Sequence, residues 1–241
     1  MKIKTSCLGI ALLALLLLSK VGWCGDPSPT FHNDNQRTGR TNNIGPNEAI
    51  LLRTFPTRGS LQASPVTGPD GTSFLASTDS CLYTLSPEGG LKWTFLAKSA
   101  LYSTPALGLD GTLHFADLSG WLYALSPDGR VKWTYELTDG SERRVIAAPV
   151  VGQDGRSYWA SWNNHVYALS AGGALIWTTT VGGLISSPLA LDREENLYMA
   201  SLDKANPTHM RFGNFRPMAG CFGSMRTISG SIEIGSWLLQ P

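Results

Sequence analysis

The sequence predicts an all-β fold built from a four-stranded antiparallel unit that recurs at a period of about 40 residues. Three observations carry this. Three segments can be laid over one another: Ala63–Phe95, Ser103–Tyr135 and Ala147–Thr179. Each contains four short apolar runs punctuated by Gly, Pro or Asp-Gly, the spacing of strands and turns rather than of helices. The 241-residue chain is also rich in glycine (26 residues) and sparse in charge (15%), as a turn-rich β protein should be.

In the first unit, Ala63–Thr67, Ser73–Ser77, Cys81–Ser86 and Leu91–Phe95 read as strands. Asp70-Gly71 joins the first two and recurs as Asp110-Gly111 and Asp154-Gly155. Gly accepts positive φ, and the Asp side chain can bond to the nearby backbone, so the pair suits a tight hairpin. Pro87-Glu88-Gly89, Pro127-Asp128-Gly129 and Ala171-Gly172-Gly173 turn the third strand into the fourth. Such a unit is a propeller blade. Alone it leaves both faces bare, so blades must stack. Positions that repeat form the scaffold: Tyr83, Tyr123 and Tyr167; Leu85, Leu125 and Leu169; Ala76, Ala116, Ala160 and Ala200. Trp93, Trp133 and Trp177 close the units and read as knobs between blades.

The array extends beyond the three units. Leu51–Phe55 precedes Pro65 at the spacing by which Leu91–Phe95 precedes Pro105, so it reads as the last strand of a preceding blade, with Arg53 in the Trp position. A fourth unit opens at Ile185 with Pro188, Asp192 and Leu197–Ser201, and then the pattern breaks. The organisation expected is an N-terminal segment over 25–50, repeats over 51–203 and a non-repeat tail over 204–241. The tail is either a genuine extension or the product of a shifted frame near Leu202, without order. Closure favours the second, because a ring needs about four blades or more. The chain supplies an incomplete ring: three full blades, a partial one and a closing strand.

Residues 1–24 read as a signal peptide, with Lys2 and Lys4 ahead of an apolar core at Leu8–Leu18 and small residues Gly22 and Cys24 near the cleavage point. The expected location is the periplasm or the extracellular space. Cys24 would be the lipid-anchor residue if the chain were a lipoprotein, although Trp23 before it suits that signal poorly. After cleavage Cys81 and Cys221 remain. They can pair in an oxidising compartment, but two cysteines define no framework, and unpaired residues at a variable and a non-repeat position are the simpler reading.

Leu122-Tyr123-Ala124-Leu125-Ser126-Pro127-Asp128-Gly129 followed by Lys132-Trp133 resembles the pyrroloquinoline-quinone (PQQ)-like propeller repeat, and is similar to the repeat of BamB-type outer-membrane assembly factors. Phe31-His32-Asn33-Asp34, with Gln36, Thr38 and Gly39, resembles the signature ahead of such repeats. The resemblance covers about Phe31 to Ser201 and specifies fold far more than function. It implies a non-catalytic binding or scaffold role in the envelope, with other envelope proteins as partners or self-association through open blade edges. The alternatives are a PQQ-dependent oxidoreductase fragment and a truncated product without a function of its own. PQQ and calcium are not expected. The chain lacks adjacent cysteines, which many quinone enzymes carry, and Asp70, Asp110 and Asp154 sit one per blade, whereas calcium needs six or more converging oxygens.

The net charge of +1, without long basic runs, argues against electrostatic binding of nucleic acid. No spacing of His32, His114, His165 or His209 suggests a zinc site or a catalytic triad, so no catalytic residue is named. Two positions vary while the scaffold repeats: Cys81, Trp121 and His165 in one, and Phe74, His114, Tyr158 and Tyr198 in the other. Neutral drift on a solvent face explains such variation most simply. If a binding surface exists, Trp121, His165, Trp159 and Trp162 are its candidates, since aromatic residues are enriched at interfaces.

Overall fold

Turn chemistry shapes each repeat into a meander. Gly71, Gly111 and Gly155 take φ values of 81°, 76° and 79° at the first hairpin. Asp70 Oδ1 accepts the Thr72 N–H at 3.0 Å, and Asp110 and Asp154 do the same for Thr112 and Arg156. The computed structural model describes residues 30, 34–37, 48, 50–51, 53–140 and 142–203, and the backbone of strands 209–216 and 226–233. Residues 1–24, read from the sequence as a signal peptide, and Cys221 lie outside the described residues.

The first blade is β1 (Val66–Thr67), β2 (Ser73–Ala76), β3 (Cys81–Leu85) and β4 (Leu91–Leu96), hydrogen-bonded in that order. The second is β5 (Ala106–Leu107), β6 (Leu113–Ala116), β7 (Trp121–Leu125) and β8 (Val131–Glu136). The third is β9 (Val150–Val151), β10 (Ser157–Ala160), β11 (His165–Leu169) and β12 (Leu175–Thr180). All pairings are antiparallel. Among the described residues there is no helix.

The fourth sheet departs from the repeat. β13 (Gly183–Leu184) and β14 (Ala190–Leu191) both pair with β15 (Leu197–Asp203), followed by β16 (His209–Arg216) and β17 (Arg226–Glu233). Two strands therefore stand where the sequence pattern had stopped, in the places of a blade's third and fourth strands. Their ladders rest on backbone hydrogen bonds, which need neither the repeat Tyr nor the repeat Trp. Those two side chains serve the joints between blades, so their absence does not forbid a sheet.

The core is divided among the joints. One buried cluster joins blades one and two through Leu82, Phe74, Phe115 and Tyr123. A second joins blades two and three through Leu122, Ala124, Trp159 and Tyr167, and a third joins blade three to the fourth sheet through Val166, Ala168, Ile185 and Leu197. β7 shows how one strand serves two joints. Leu122 and Ala124 face blade three while Tyr123 and Leu125 face blade one, the two-residue period of a strand buried on both faces.

Each repeat Trp locks a joint. Trp93 donates Nε1–H to the Pro127 carbonyl (3.2 Å) and Trp133 to that of Ala171 (3.0 Å), each in the next blade's final turn. The glycine of that turn gives the ring room. A Cβ on Gly129 would lie 2.9 Å from Trp93, and one on Gly173 would lie 2.5 Å from Trp133. The N-terminal segment ties the other end of the array. Arg37 donates from Nε to Leu189 O (2.8 Å) and from Nη2 to Pro149 O (3.0 Å), while Asn35 bonds to Val151 O and accepts the Leu191 N–H. Blade three and the fourth sheet are thereby clasped along their innermost strands.

Candidate functional site

Antiparallel blades have two ends. The hairpins between first and second strands share one end with the turns between third and fourth. The other end carries the turns between second and third strands and the connections from blade to blade.

At the hairpin end a cavity of about 760 Å³ opens, within the range of small-molecule and side-chain pockets. Its mostly apolar lining includes Phe74, Leu107, Val151 and Pro127, and residues 34–36 of the N-terminal segment form part of the wall. The hairpin tips Pro69, Leu109 and Gln153 come from three successive blades and all line it. They occupy one repeat position, the x of G-x-D-G, where every neighbouring position is repeated. Leu109 is 86% exposed, an apolar side chain held out at a tip.

The charged residues of the lining are tied. Asp70 Oδ2 accepts from Thr72 Oγ1 (2.7 Å), and Lys92 Nζ donates to that hydroxyl (2.9 Å) and lies 3.6 Å from the carboxylate. In the next blade Lys132 reaches Asp110 Oδ2 at 3.0 Å and Thr112 Oγ1 at 2.8 Å. Burial alone would raise both carboxyl pKa values. The Thr hydrogen bonds and the Lys charges outweigh it, holding Asp70 below and Asp110 well below the ordinary range. Among the described residues no three His, Cys, Asp or Glu side chains come together as a metal site.

At the opposite end the structure places Trp121, Trp162 and His165 together in type, all on second-to-third turns or third-strand starts. Each is already engaged. Lys98 Nζ sits 3.1 Å from the Trp121 ring centroid, and Arg144 lies 5.5 Å over Trp162. The His165 ring stacks on Tyr167, with Nδ1 2.9 Å from Asn163 O and Nε2 3.1 Å from Thr180 Oγ1.

Trp159 is a correction. It has no exposed surface, donates Nε1–H to Ser157 Oγ (2.9 Å) and packs edge-on to Trp133 at 6.4 Å. Its register on β10 points it into the joint between blades two and three, so it belongs to the core. The variable position at Phe74, His114 and Tyr158 is also not solvent-facing. All three are buried, against Trp93, Trp133 and Trp177 of their own blades. Any flat ring can fill that place, which is why the residue varies. Burial pulls the His114 imidazole down to about 4, so it is neutral at pH 7.

The hairpin tips are not among the candidates the sequence marks, because the repeat's strongest signals lie on its strands. The available signal was the single variable residue inside an otherwise constant turn.

An incomplete ring of four-stranded blades joined by Trp knobs, with a cavity at the hairpin end, defines a β-propeller module. The profile of the family described as outer membrane protein assembly factor BamB matches residues 118–206. Among solved structures, BamB from Moraxella catarrhalis superimposes with a TM-score of 0.59 at 18% identity, covering 73% of this chain and 54% of that one. The quinohemoprotein alcohol dehydrogenase from Comamonas testosteroni gives 0.60 at 15% identity, covering 79% and 35%. A chain of a mitotic checkpoint complex gives 0.56 at 12%, covering 68% and 50%. The chain thus spans about half or less of the propellers it matches, and identities this low speak for fold alone. No curated protein gives a significant sequence match. Over residues 118–206 the chain is similar to the PQQ-like propeller repeat of BamB-type assembly factors, and its described blades share their fold. Among the described residues no helix is long and apolar enough to cross a membrane.

Proposed function

We propose that the chain is a non-catalytic binding or scaffold module of the cell envelope or the extracellular space, and that the cavity at the hairpin end is its contact site. The observation that carries this is the variation of Pro69, Leu109 and Gln153 around one cavity while the turn that presents them stays constant. A fixed frame with varied tips is how loop-borne recognition is built. The mostly apolar lining and the exposed Leu109 favour apolar side chains of a protein partner over a highly charged ligand. The apolar segment Leu8–Leu18 behind Lys2 and Lys4 supports export. A quinone with its calcium ion is not part of the proposal. Among the described residues no Trp lines the cavity, and Asp70 and Asp110 are each committed to their own Thr and Lys. No step through that cofactor is derived.

The test places a photo-cross-linking residue at Leu109 and at Gln153 in the producing cell, with the outer-strand Leu96 as reference. Adducts at 109 and 153 but not at 96 support the cavity. Equal adducts at 96, or none at the tips, remove it. The same cross-linker placed at Trp121 and Trp162 reads the opposite end, and adducts there without adducts at the tips move the contact to that end. A full chain that unfolds without a cooperative transition removes the module itself.

A further inference from the structure

Residues 53–57 belong to no strand, yet side chains hold them in a defined place on the free face of blade one. Arg53 lies over Gly89, where a Cβ would come within 3.0 Å of its Cδ, as Trp93 lies over Gly129 and Trp133 over Gly173. Phe55 meets Tyr83 edge-on at 5.6 Å, as Phe95 meets Tyr123 at 5.4 Å. Farther along, the Arg58 N–H bonds to Asp79 and Ser60 bonds to Thr78. The segment therefore stands where the fourth strand of a preceding blade would stand.

In the three repeat blades the fourth strand is paired with a third, in one register. Phe95 faces Leu82, Tyr135 faces Leu122 and Thr179 faces Val166. Two residues earlier on the fourth strand, Trp93 faces Thr84, Trp133 faces Ala124 and Trp177 faces Ala168. Among the described residues, 53–57 have no such neighbour, and blade one shows it. Leu75 is half-buried where its counterparts Phe115 and Trp159 are fully buried, and Ser73 is half-buried where Leu113 and Ser157 are buried. Leu51, Arg53 and Thr54 are exposed.

We infer that residues 53–57 are an acceptor edge for an extended polypeptide strand supplied in trans, with an aliphatic residue opposite Phe55 and Ala or Thr opposite Arg53. The occupant's chemistry is read from the three internal examples. The aliphatic side chain would cover Tyr83 and Leu75, and the small one would leave room for Arg53 against Gly89. Backbone pairing supplies affinity and the alternating side chains supply register. This surface is separate from the hairpin-end cavity, so either proposal can fail alone.

The probe is a labelled synthetic peptide copying residues 119–128, with Trp121→Lys and Tyr123→Thr for solubility, titrated into the full chain by fluorescence anisotropy. Saturable binding is expected, weakened about tenfold or more by Leu122→Asp in the peptide and by Thr54→Pro or Phe55→Asp in the chain. Hydrogen exchange on the wild-type chain should show protection gained at the amides of residues 53–55 and 57, a readout that needs no variant. If the chain itself dimerises and Thr54→Pro dissociates the dimer, a second copy supplies the strand and the inference stands. Absence of binding up to about 1 mM overturns it, as does binding indifferent to both chain variants or protection confined to other residues.

Discussion

Gly173 is where a joint between blades tolerates least. A methyl group there would lie 2.5 Å from Trp133 Cγ, 2.6 Å from Cδ2 and 2.8 Å from Cβ, on a backbone with φ of +83°. The left-handed backbone contributes about 1–2 kcal/mol of strain for a residue with a Cβ, and overpacking against a fixed ring about 1–3 kcal/mol. Gly173→Ala should therefore cost about 2–5 kcal/mol, a large share of the stability of an ordinary domain. Gly129→Ala meets Trp93 at 2.9 Å and should cost somewhat less. Gly89→Ala meets the exposed methylene stem of Arg53, at 3.0 Å from Cδ and 3.4 Å from Cβ, looser than either Trp contact, and should cost little beyond the backbone strain. Gly172→Ala has nothing nearer than Ser170 Oγ at 3.9 Å and should stay within about 0.5 kcal/mol of wild type. Urea unfolding followed by tryptophan fluorescence measures the four midpoints. If Gly173→Ala unfolds with Gly172→Ala, or if Gly89→Ala is the least stable, the equivalence of the three knobs is refuted.

Three further outcomes follow from the same joints. Burial lowers the His114 pKa from 6.5 to about 4, so the unfolded chain takes up a proton that the folded one excludes. The stability His114 allows is intact above pH 6.5 and declines as the pH falls toward 4, by about 3 kcal/mol in all. His114→Phe, which copies Phe74 of blade one, should flatten that part of the curve, and parallel unfolding curves from pH 7 to 4 would falsify the assignment. Arg37→Ala strips two carbonyls, Leu189 O and Pro149 O, of their donor. It should cost about 2–4 kcal/mol and expose 183–203, but not 66–136, to limited proteolysis mapped by mass spectrometry. Trp159→Ala should cost about 3–5 kcal/mol and Trp121→Ala about 1–2, since one fills a closed joint and the other lies half-buried under Lys98. Thermal melts of the pair showing equal losses would return Trp159 to the surface.

The fold was legible because its devices are local. Asp-Gly at a turn, Gly at positive φ and a two-residue alternation are all written in short windows. The repeat alone marks Tyr123, Leu125 and Trp133 as scaffold. Two things were not legible. The burial of Trp159 and His114 depends on which face of β10 and β6 meets a neighbouring blade, and a single strand buried on both sides does not announce which neighbour each residue serves. The β16–β17 hairpin lacks every repeat side chain, and backbone pairing leaves no signature of its own in the sequence. For the candidate site the signal was present but subtle. Pro69, Leu109 and Gln153 differ by one residue in a constant turn, and only the structure shows that the three tips surround one cavity.

The residue at the array's open end follows from the character of the joints. The joints between blades one and two and between blades two and three are heterologous, with a Trp from one blade and a glycine-backed turn from the next, and such an interface leaves an unused half at each end unless the ring closes. At the first blade the unused half is Gly89 with Tyr83. A Trp there would present one ring face to the glycine and the other to water, with no third strand beside it. Arg53 resolves this differently. Its methylene stem lies on Gly89 while the residue as a whole stays exposed, so the glycine is covered and the charge remains solvated. An edge strand that carries a charge also resists indiscriminate pairing with other sheets. Arg in place of Trp, where no described third strand lies alongside, therefore suits an edge that awaits a strand of the right register. Phe55 on Tyr83 keeps that end aligned in the meantime.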